Sequence, residues 1–351
     1  MNWQQHLISE NTTIKSALSH LDKLAIDAII FIVDSNHKLL ASLTDGDIRR
    51  GLMKDVSIND LAINVANKNP RKLIEGSNNF FNKLIEFRES SFKVIPIVNE
   101  ENVVLDCINF RYRKSILPLD CVVMAGGKGE RLNPLTITTP KPLLKIGNKP
   151  IIEYNLDNFK RFGISKCWIT INYLGDQLEA FANNKTDIDF EISTVKEPFS
   201  MGTIGSIKLI DAIEKDTVLV CNSDLLNDVN LEAFYLDFVD SEADLSVVTI
   251  PYNVNVPYAI MELQDEFVLN LKEKPNFTYY SNGGIYLFKK ELLELIPKNS
   301  YFTAIDFMEK ILESGLKIKS FAHNGYWLDI GKQEDYQRAK SDITKLNLYH
   351  D

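Results

Sequence analysis

A short apolar stretch, residues 121–125, runs straight into glycines at 126, 127 and 129, with Arg131 and Lys141 close behind. Glycine lacks a β-carbon, so the backbone N–H groups of such a turn can approach an anion without obstruction. The two cations add the charge needed to hold a polyphosphate while one of its phosphorus atoms is attacked. The loop matches neither G-x-x-x-x-G-K-[ST] nor G-x-G-x-x-G, so a P-loop and a dinucleotide site do not fit. A strand ending in such a loop belongs at the carboxyl edge of a mainly parallel sheet, where open α/β folds bind ligands.

The pattern around the loop agrees. Residues 151–162 have helical periodicity, 167–171 read as a strand, 176–182 as a helix and 190–194 as a strand. Residues 204–213 read as a helix, 218–221 as a strand and 309–316 as an amphipathic helix. Strands alternating with helices imply helices on both faces of the sheet. The chain before Pro118 differs. It reads as helix, strand, turn, strand, helix, twice over, with a period of roughly 65 residues. Asn11-Thr12-Thr13 can cap the first helix, 28–33 and 39–43 are strands, and Thr44-Asp45-Gly46-Asp47 opens a helix. In the second copy a helix covers 79–87, strands cover 94–98 and 103–108, and another helix starts at Phe110. Two domains follow, 1–118 and 119–351, joined by a short linker over 111–119.

Charge and composition narrow the function. The chain has 39 Lys+Arg against 48 Asp+Glu, a net charge of −9, with most of the negative excess after residue 118. A general nucleic-acid binder needs a basic surface, so nucleic acid is not an expected partner. Cys107, Cys121, Cys167 and Cys221 sit in apolar runs without C-x-x-C spacing and read as buried thiols. The five histidines are scattered, which argues against a histidine zinc site. No apolar run approaches the roughly 20 residues of a membrane span, and residues 1–10 lack signal-peptide character. A cytoplasmic protein without membrane association is the expectation.

The run Val123-Met124-Ala125-Gly126-Gly127-Lys128-Gly129-Glu130-Arg131-Leu132-Asn133-Pro134, continued by Thr139-Pro140-Lys141-Pro142, resembles the signature of sugar-1-phosphate nucleotidyltransferases. The resemblance extends over residues 119–351 and implies a Rossmann-like mixed, mainly parallel sheet domain. It implies that Ala125, Gly126, Gly127 and Gly129 bind the nucleotide with Gly202 and Thr203, and that Arg131 and Lys141 stabilise the triphosphate. Many members carry Thr where this chain has Glu130, whose carboxylate must point away from phosphates or meet a metal. Asp224 closes Asn222-Ser223-Asp224 after a strand, and Asp329 lies in Tyr326-Trp327-Leu328-Asp329-Ile330-Gly331. The resemblance makes these two the Mg²⁺ ligands, a hard-oxygen pair suited to that ion. Glu197, Lys274 (in Lys272-Glu273-Lys274-Pro275), Asn282 and Gly283 fall on its sugar-phosphate side. Substrates are then an NTP and a sugar 1-phosphate, and the products an NDP-sugar and pyrophosphate.

Residues 1–118 resemble a pair of CBS modules, which bind adenine nucleotides in many proteins. In that pattern Thr44 and Asp47 meet phosphate and ribose; equally, the two residues can form a helix cap. The second copy has Asn109-Phe110-Arg111-Tyr112 at the corresponding place and no such pair. CBS pairs commonly self-associate, so a homo-oligomer is expected. A CBS pair ahead of this catalytic unit resembles the glucosamine- or mannose-1-phosphate guanylyltransferases of legionaminic-acid-type pathways. That favours GTP over dTTP, UTP or CTP. The alternative from another class is a nucleotide or NDP-sugar sensor without chemistry.

Overall fold

The computed structural model describes residues 3–185 and 190–345. The chain divides into two compact units, Met1–Ile116 and Leu117–Asp351.

The first unit is built from two similar copies. The first copy comprises β1 (Leu7–Ser9), α1 (Ile14–Leu24), β2 (Ile29–Val33), β3 (Leu39–Thr44) and α2 (Asp45–Leu52). The second comprises β4 (Leu73–Ile74), α3 (Phe80–Glu89), β5 (Val94–Val98) and β6 (Val104–Asn109). In each, the first strand pairs parallel to the second and the second antiparallel to the third. Ile29 and Val94 open equivalent strands, as do Leu39 and Val104, so the copies repeat after about 65 residues. Strand alternation explains why β2 is apolar throughout. Ile30 and Ile32 pack with Ile14, Ala17 and Leu21 of α1, whereas Phe31 and Val33 pack with Val94, Val98 and Val104 of the other sheet.

The helix expected from Phe110 is not formed. The Asn109 side chain accepts the Arg111 N–H at 3.0 Å, and Arg113 turns back to the Asp106 carboxylate at 3.0 Å and the Cys107 carbonyl at 2.7 Å. Such side-chain bonds to the local backbone compete with helix formation.

The second unit carries β7 (Leu119–Met124), the two-residue strands β8 (Lys145–Ile146) and β9 (Lys149–Pro150), α4 (Ile151–Arg161), β10 (Lys166–Ile171) and α5 (Gly175–Asn183). There follow β11 (Glu191–Lys196), β12 (Thr217–Asn222), β13 (Leu225–Asn227), α6 (Leu231–Asp240) and β14 (Leu245–Asn255). The remainder is β15 (Ile260–Gln264), β16 (Phe267–Lys272), β17 (Asn276–Lys289), α7 (Ala304–Glu313), β18 (Ile318–Ala322), β19 (Trp327–Asp329) and α8 (Gln333–Asp342). Seven strands form the central sheet in the order β11-β10-β7-β12-β17-β14-β18. β11, β10, β7 and β12 run parallel, and β17 is antiparallel to both of its neighbours. All six residues of β7 are buried, as the centre of a sheet covered on both faces requires. One face packs Val122, Val220, Phe288 and Phe307 into a core, where the rings of Phe288 and Phe307 meet edge to face at 5.2 Å.

Two further features depart from the sequence pattern. Residues 204–213 hold only a short 3₁₀ turn, Gly205–Leu209. The Ile204 and Gly205 amides both donate to the Phe302 carbonyl, at 3.2 and 3.1 Å, which ties this turn to a distant part of the chain. β15 and β16 form a hairpin with no exposed-face partner: Met261, Leu263, Phe267, Leu269 and Leu271 are all exposed. The four cysteines are buried and free, and burial pushes the Cys107 and Cys221 thiols up. Among the described residues no helix is long and apolar enough to cross a membrane. Because Phe307 is fully buried against Phe288, Phe307→Ala is expected to cost about 3–5 kcal/mol in denaturant unfolding. A loss below about 1 kcal/mol contradicts its place in the core.

Candidate active site

The carboxyl ends of β7, β11 and β12 open into a cavity of about 500 Å³. Its lining includes Ala125, Gly126, Gly127, Gly129, Arg131, Lys141, Glu197, Gly202, Thr203 and Asp224. The sheet therefore brings together the glycine loop and residues from four other stretches, 141–142, 197–203, 222–224 and 301.

The loop is held from beneath. Gly129 adopts φ +65°, and a side chain there would begin 3.0 Å from the Lys141 β-carbon. Its carbonyl accepts the Thr136 hydroxyl at 2.9 Å. Gly202 adopts φ +80°, and a side chain there would begin 2.4 Å from the Phe302 carbonyl oxygen. This crossing of 202–205 with 300–302 carries Tyr301 to the cavity rim. The Thr203 hydroxyl accepts the Ala304 N–H at 2.8 Å, which ties the same crossing to the start of α7.

The charged groups lie beside the loop. Lys141 is buried, in the Pro-Lys-Pro turn, and its ammonium bonds directly to the Asp224 carboxylate. It also lies 4.0 Å from Asp329 Oδ1. The two acids are neighbours because β13 pairs antiparallel with β19: Leu225 stands opposite Asp329, and the Ile330 N–H donates to the Asp224 carbonyl at 3.1 Å. Among the described residues, Asp329 Oδ1 is buried without a hydrogen-bond donor. Burial and then the negative charge of Asp224 raise the Asp329 carboxyl above its ordinary value, against the opposing pull of Lys141 and Arg131. The Arg131 guanidinium rests on Gly331, 3.3 Å from where a side chain would begin. Glu130 and Lys128 also line the cavity, with their charged groups 3.7 Å apart and both side chains exposed.

The acid pair fits a divalent cation. Two hard oxygen donors face one another, one of them lacking any donor, at a site where like charges crowd. No group of three or more His, Cys, Asp or Glu suited to a metal is present among the described residues, so phosphate oxygens and water would complete such a shell.

Several residues picked out by the sequence lie elsewhere. Lys274 is not in the lining: it occupies the turn between β16 and β17, with φ 42° and an exposed side chain. Asn282 and Gly283, in β17, are not in the lining either; it is the next residue, Gly284, that stands against the lining residue Asn222, where a side chain would begin 2.6 Å from the amide nitrogen. The Asn282 side chain accepts the Gly284 N–H at 2.9 Å, and the Gly283 carbonyl accepts the Trp327 indole N–H at 2.9 Å. In the first unit, Thr44 and Asp47 form a capping box at α2, and Asp47 also pairs with Arg50 at 2.6 Å. Thr44 lines a cavity of about 440 Å³ with Asp27, Phe92 and Lys93; Asp47 does not. Ser200, Ser223 and Tyr301 line the active-site cavity without having been singled out. Only the long-range crossing at Phe302 could have revealed Tyr301.

Comparison with known proteins places the second unit in a family. The chain is 30% identical over 235 residues to the D-glycero-alpha-D-manno-heptose 1-phosphate guanylyltransferase of Aneurinibacillus thermoaerophilus, covering 64% of this chain and 98% of that protein. It is 27% identical over 241 residues to the UTP--glucose-1-phosphate uridylyltransferase of Synechocystis, covering 63% of this chain. The chain spans 62% of that relative's length, and 65% of an Arabidopsis thaliana protein named "Probable mannose-1-phosphate guanylyltransferase 2", to which it is 30% identical. The crystal structure of HddC from Yersinia pseudotuberculosis superposes with a TM-score of 0.50 at 27% identity, covering 64% of this chain and 99% of that one. Residues 120–346 match the family described as Nucleotidyl transferase. With that match spanning the glycine loop, Lys141, Asp224 and Asp329, the chain belongs to the nucleotidyl transferase family.

Proposed function

We propose that the protein transfers a nucleotidyl group from an NTP, with GTP favoured, to a sugar 1-phosphate, giving an NDP-sugar and pyrophosphate. Glucosamine 1-phosphate and mannose 1-phosphate are the favoured acceptors, in a cytoplasmic route to bacterial surface glycans of the legionaminic-acid type. The observation that carries the transfer reading is the meeting of Lys141, Asp224 and Asp329 beside the glycine loop.

The chemistry follows from charge. The acceptor is a phosphate monoester, largely dianionic near neutral pH, so its oxygen attacks the α-phosphorus without a general base. The difficulty is bringing two anions together. The N–H groups of Gly126, Gly127 and Gly129 cradle the phosphates, and Arg131 and Lys141 hold the charge that develops on departing pyrophosphate. Mg²⁺ bound between Asp224 and Asp329 would offset the repulsion between nucleotide and acceptor as a Lewis acid. The cavity presents no Ser–His or Cys–His pair for a covalent route, in keeping with direct displacement.

For the first unit, we propose that the cavity walled by Thr44 takes an adenine nucleotide that regulates the enzyme, and that the unit supports homo-oligomer formation. Both residues take part in the capping box at α2, but only Thr44 lines this cavity, so it is the member of the pair placed to contact such a ligand. Thr44→Ala is then expected to weaken any response of turnover to AMP or ATP; an unchanged response removes the site.

Pyrophosphate release assayed over a panel of NTPs and sugar 1-phosphates is expected to peak with GTP and to stop when divalent cations are chelated. Arg131→Ala and Asp224→Asn are each expected to lower turnover by about 10²–10³-fold with the melting temperature little changed. Near-normal turnover in both removes their roles. Asp329→Asn separates function from stability: turnover falls on the same scale, but relief of crowded negative charge leaves the melting temperature unchanged or higher. A melting temperature lowered by several degrees contradicts that reading of Asp329.

A further inference from the structure

The two acids of the active site are delivered by a very small ladder. β13 and β19 pair over three residues and form a sheet of their own, apart from the central one. A two-stranded ribbon is marginal at best in water unless something else holds it. The near end of this one carries Asp224, just before β13, and Asp329, the last residue of β19. Burial and the charge of Asp224 both act against an ionised Asp329, so the near end is under strain from like charge. The middle is tied to β17 by the Trp327 indole, which donates to the Gly283 carbonyl. What holds the far end then decides how firmly the two acids face each other.

The pairing runs one step past the ladder, where the Asp228 N–H donates to the Tyr326 carbonyl at 3.0 Å. At that point the His323 Nε2 lies 2.9 Å from Asp228 Oδ1 and 3.3 Å from the Tyr326 carbonyl. Both partners are acceptors, so Nε2 carries the hydrogen and donates. The His323 side chain is only 10% exposed. It is also fixed from behind. Ala322, the last residue of β18, pairs with Thr249 of β14, and the His323 N–H donates to the Thr249 carbonyl at 2.8 Å. The central sheet therefore reaches through His323 to the residue that ends the ladder. Gly325 belongs to the same device. A side chain there would begin 2.3 Å from Asp228 Oδ1 and 2.7 Å from the His323 ring, so any larger residue would force the pair apart.

We propose that His323 and Asp228 are positioning residues for the cation site: they clasp the far end of the β13–β19 ladder to the central sheet and so keep Asp329 opposite Asp224. The inference rests on the nucleotidyl-transfer reading above, in which those two acids hold a divalent cation. Neither His323 nor Asp228 lines the cavity; both act through the ladder. With the clasp broken, the ladder opens from its far end and the acids no longer grip one ion together. The signature is weaker cation binding, with turnover little changed once the cation is in excess.

Mn²⁺ is the probe, titrated into the full-length protein without substrate and followed by its electron paramagnetic resonance, with Asp224→Asn defining background binding. His323→Leu removes the donor, Gly325→Ala drives a β-carbon into the pair, and His323→Gln keeps an N–H donor at nearly the same place. The Mn²⁺ dissociation constant is expected to rise about tenfold in His323→Leu and Gly325→Ala, and to return within about twofold of wild type in His323→Gln. Turnover at saturating Mg²⁺ is expected to stay within about threefold of wild type in all three. Melting curves in chelator show which variants fold, and either disruptive variant suffices if the other does not. A wild-type Mn²⁺ constant in the folded disruptive variants, beside a lowered melting temperature, makes the pair structural only; it overturns the clasp and leaves nucleotidyl transfer standing. A rise that His323→Gln does not reverse also overturns the clasp. A wild type that binds no Mn²⁺ and turns over no NTP overturns both.

Discussion

The placement of one buried ammonium group organises this site. Lys141 bonds to Asp224 and lies 4.0 Å from Asp329, two carboxylates that would otherwise repel each other at the mouth of a cavity. Every nearby element serves that arrangement. β12 delivers Asn222-Ser223-Asp224 to the carboxyl edge of the sheet, and the short β13–β19 ladder folds Asp329 back beside it. The flanking prolines hold Lys141 in a single turn. Gly129 leaves room for the lysine side chain to pass under the loop. The result is a pocket in which positive and negative charges are both held in excess of what the fold itself needs. Such pre-set charge is what a reaction between two anions requires.

The sheet also separates tasks in space. Its parallel half, β11 to β12, ends in the glycine loop and Glu197, and its antiparallel half begins with β17 and the Asn282-Gly283-Gly284 turn. The acids and Lys141 sit where the two halves meet. The first unit solves a different problem: two small sheets, neither able to bury both of its faces alone, share one apolar layer made by Phe31, Val33, Val94, Val98 and Val104.

What the sequence made legible is what local chemistry dictates. The glycine loop, the Pro-Lys-Pro turn and the acid after an apolar strand are short motifs, and each ends up at the cavity or beside it. The twofold repeat in residues 3–109 could be read because strand alternation and turn residues recur in both copies. Long-range claims on the backbone were not legible. Residues 204–213 have helical spacing, yet they are tied at Ile204 and Gly205 to the distant Phe302 carbonyl and hold only a 3₁₀ turn. Phe110 opens no helix because Asn109 and Asp106 bind the following arginines. Lys274 carries a motif resemblance but sits on an exposed turn beside an apolar hairpin, a placement set by the register of β14 with β17. Tyr301 reaches the rim only through the crossing at Gly202.

The account treats catalysis as direct displacement by positioned phosphates, with no protein nucleophile. The stereochemical course at the α-phosphorus tests that most directly. Turnover of an NTP chiral at a sulfur-substituted α-phosphorus is predicted to give an NDP-sugar with inverted configuration. Retained configuration would signal two successive displacements through a covalent nucleotidyl-protein intermediate and would contradict the account.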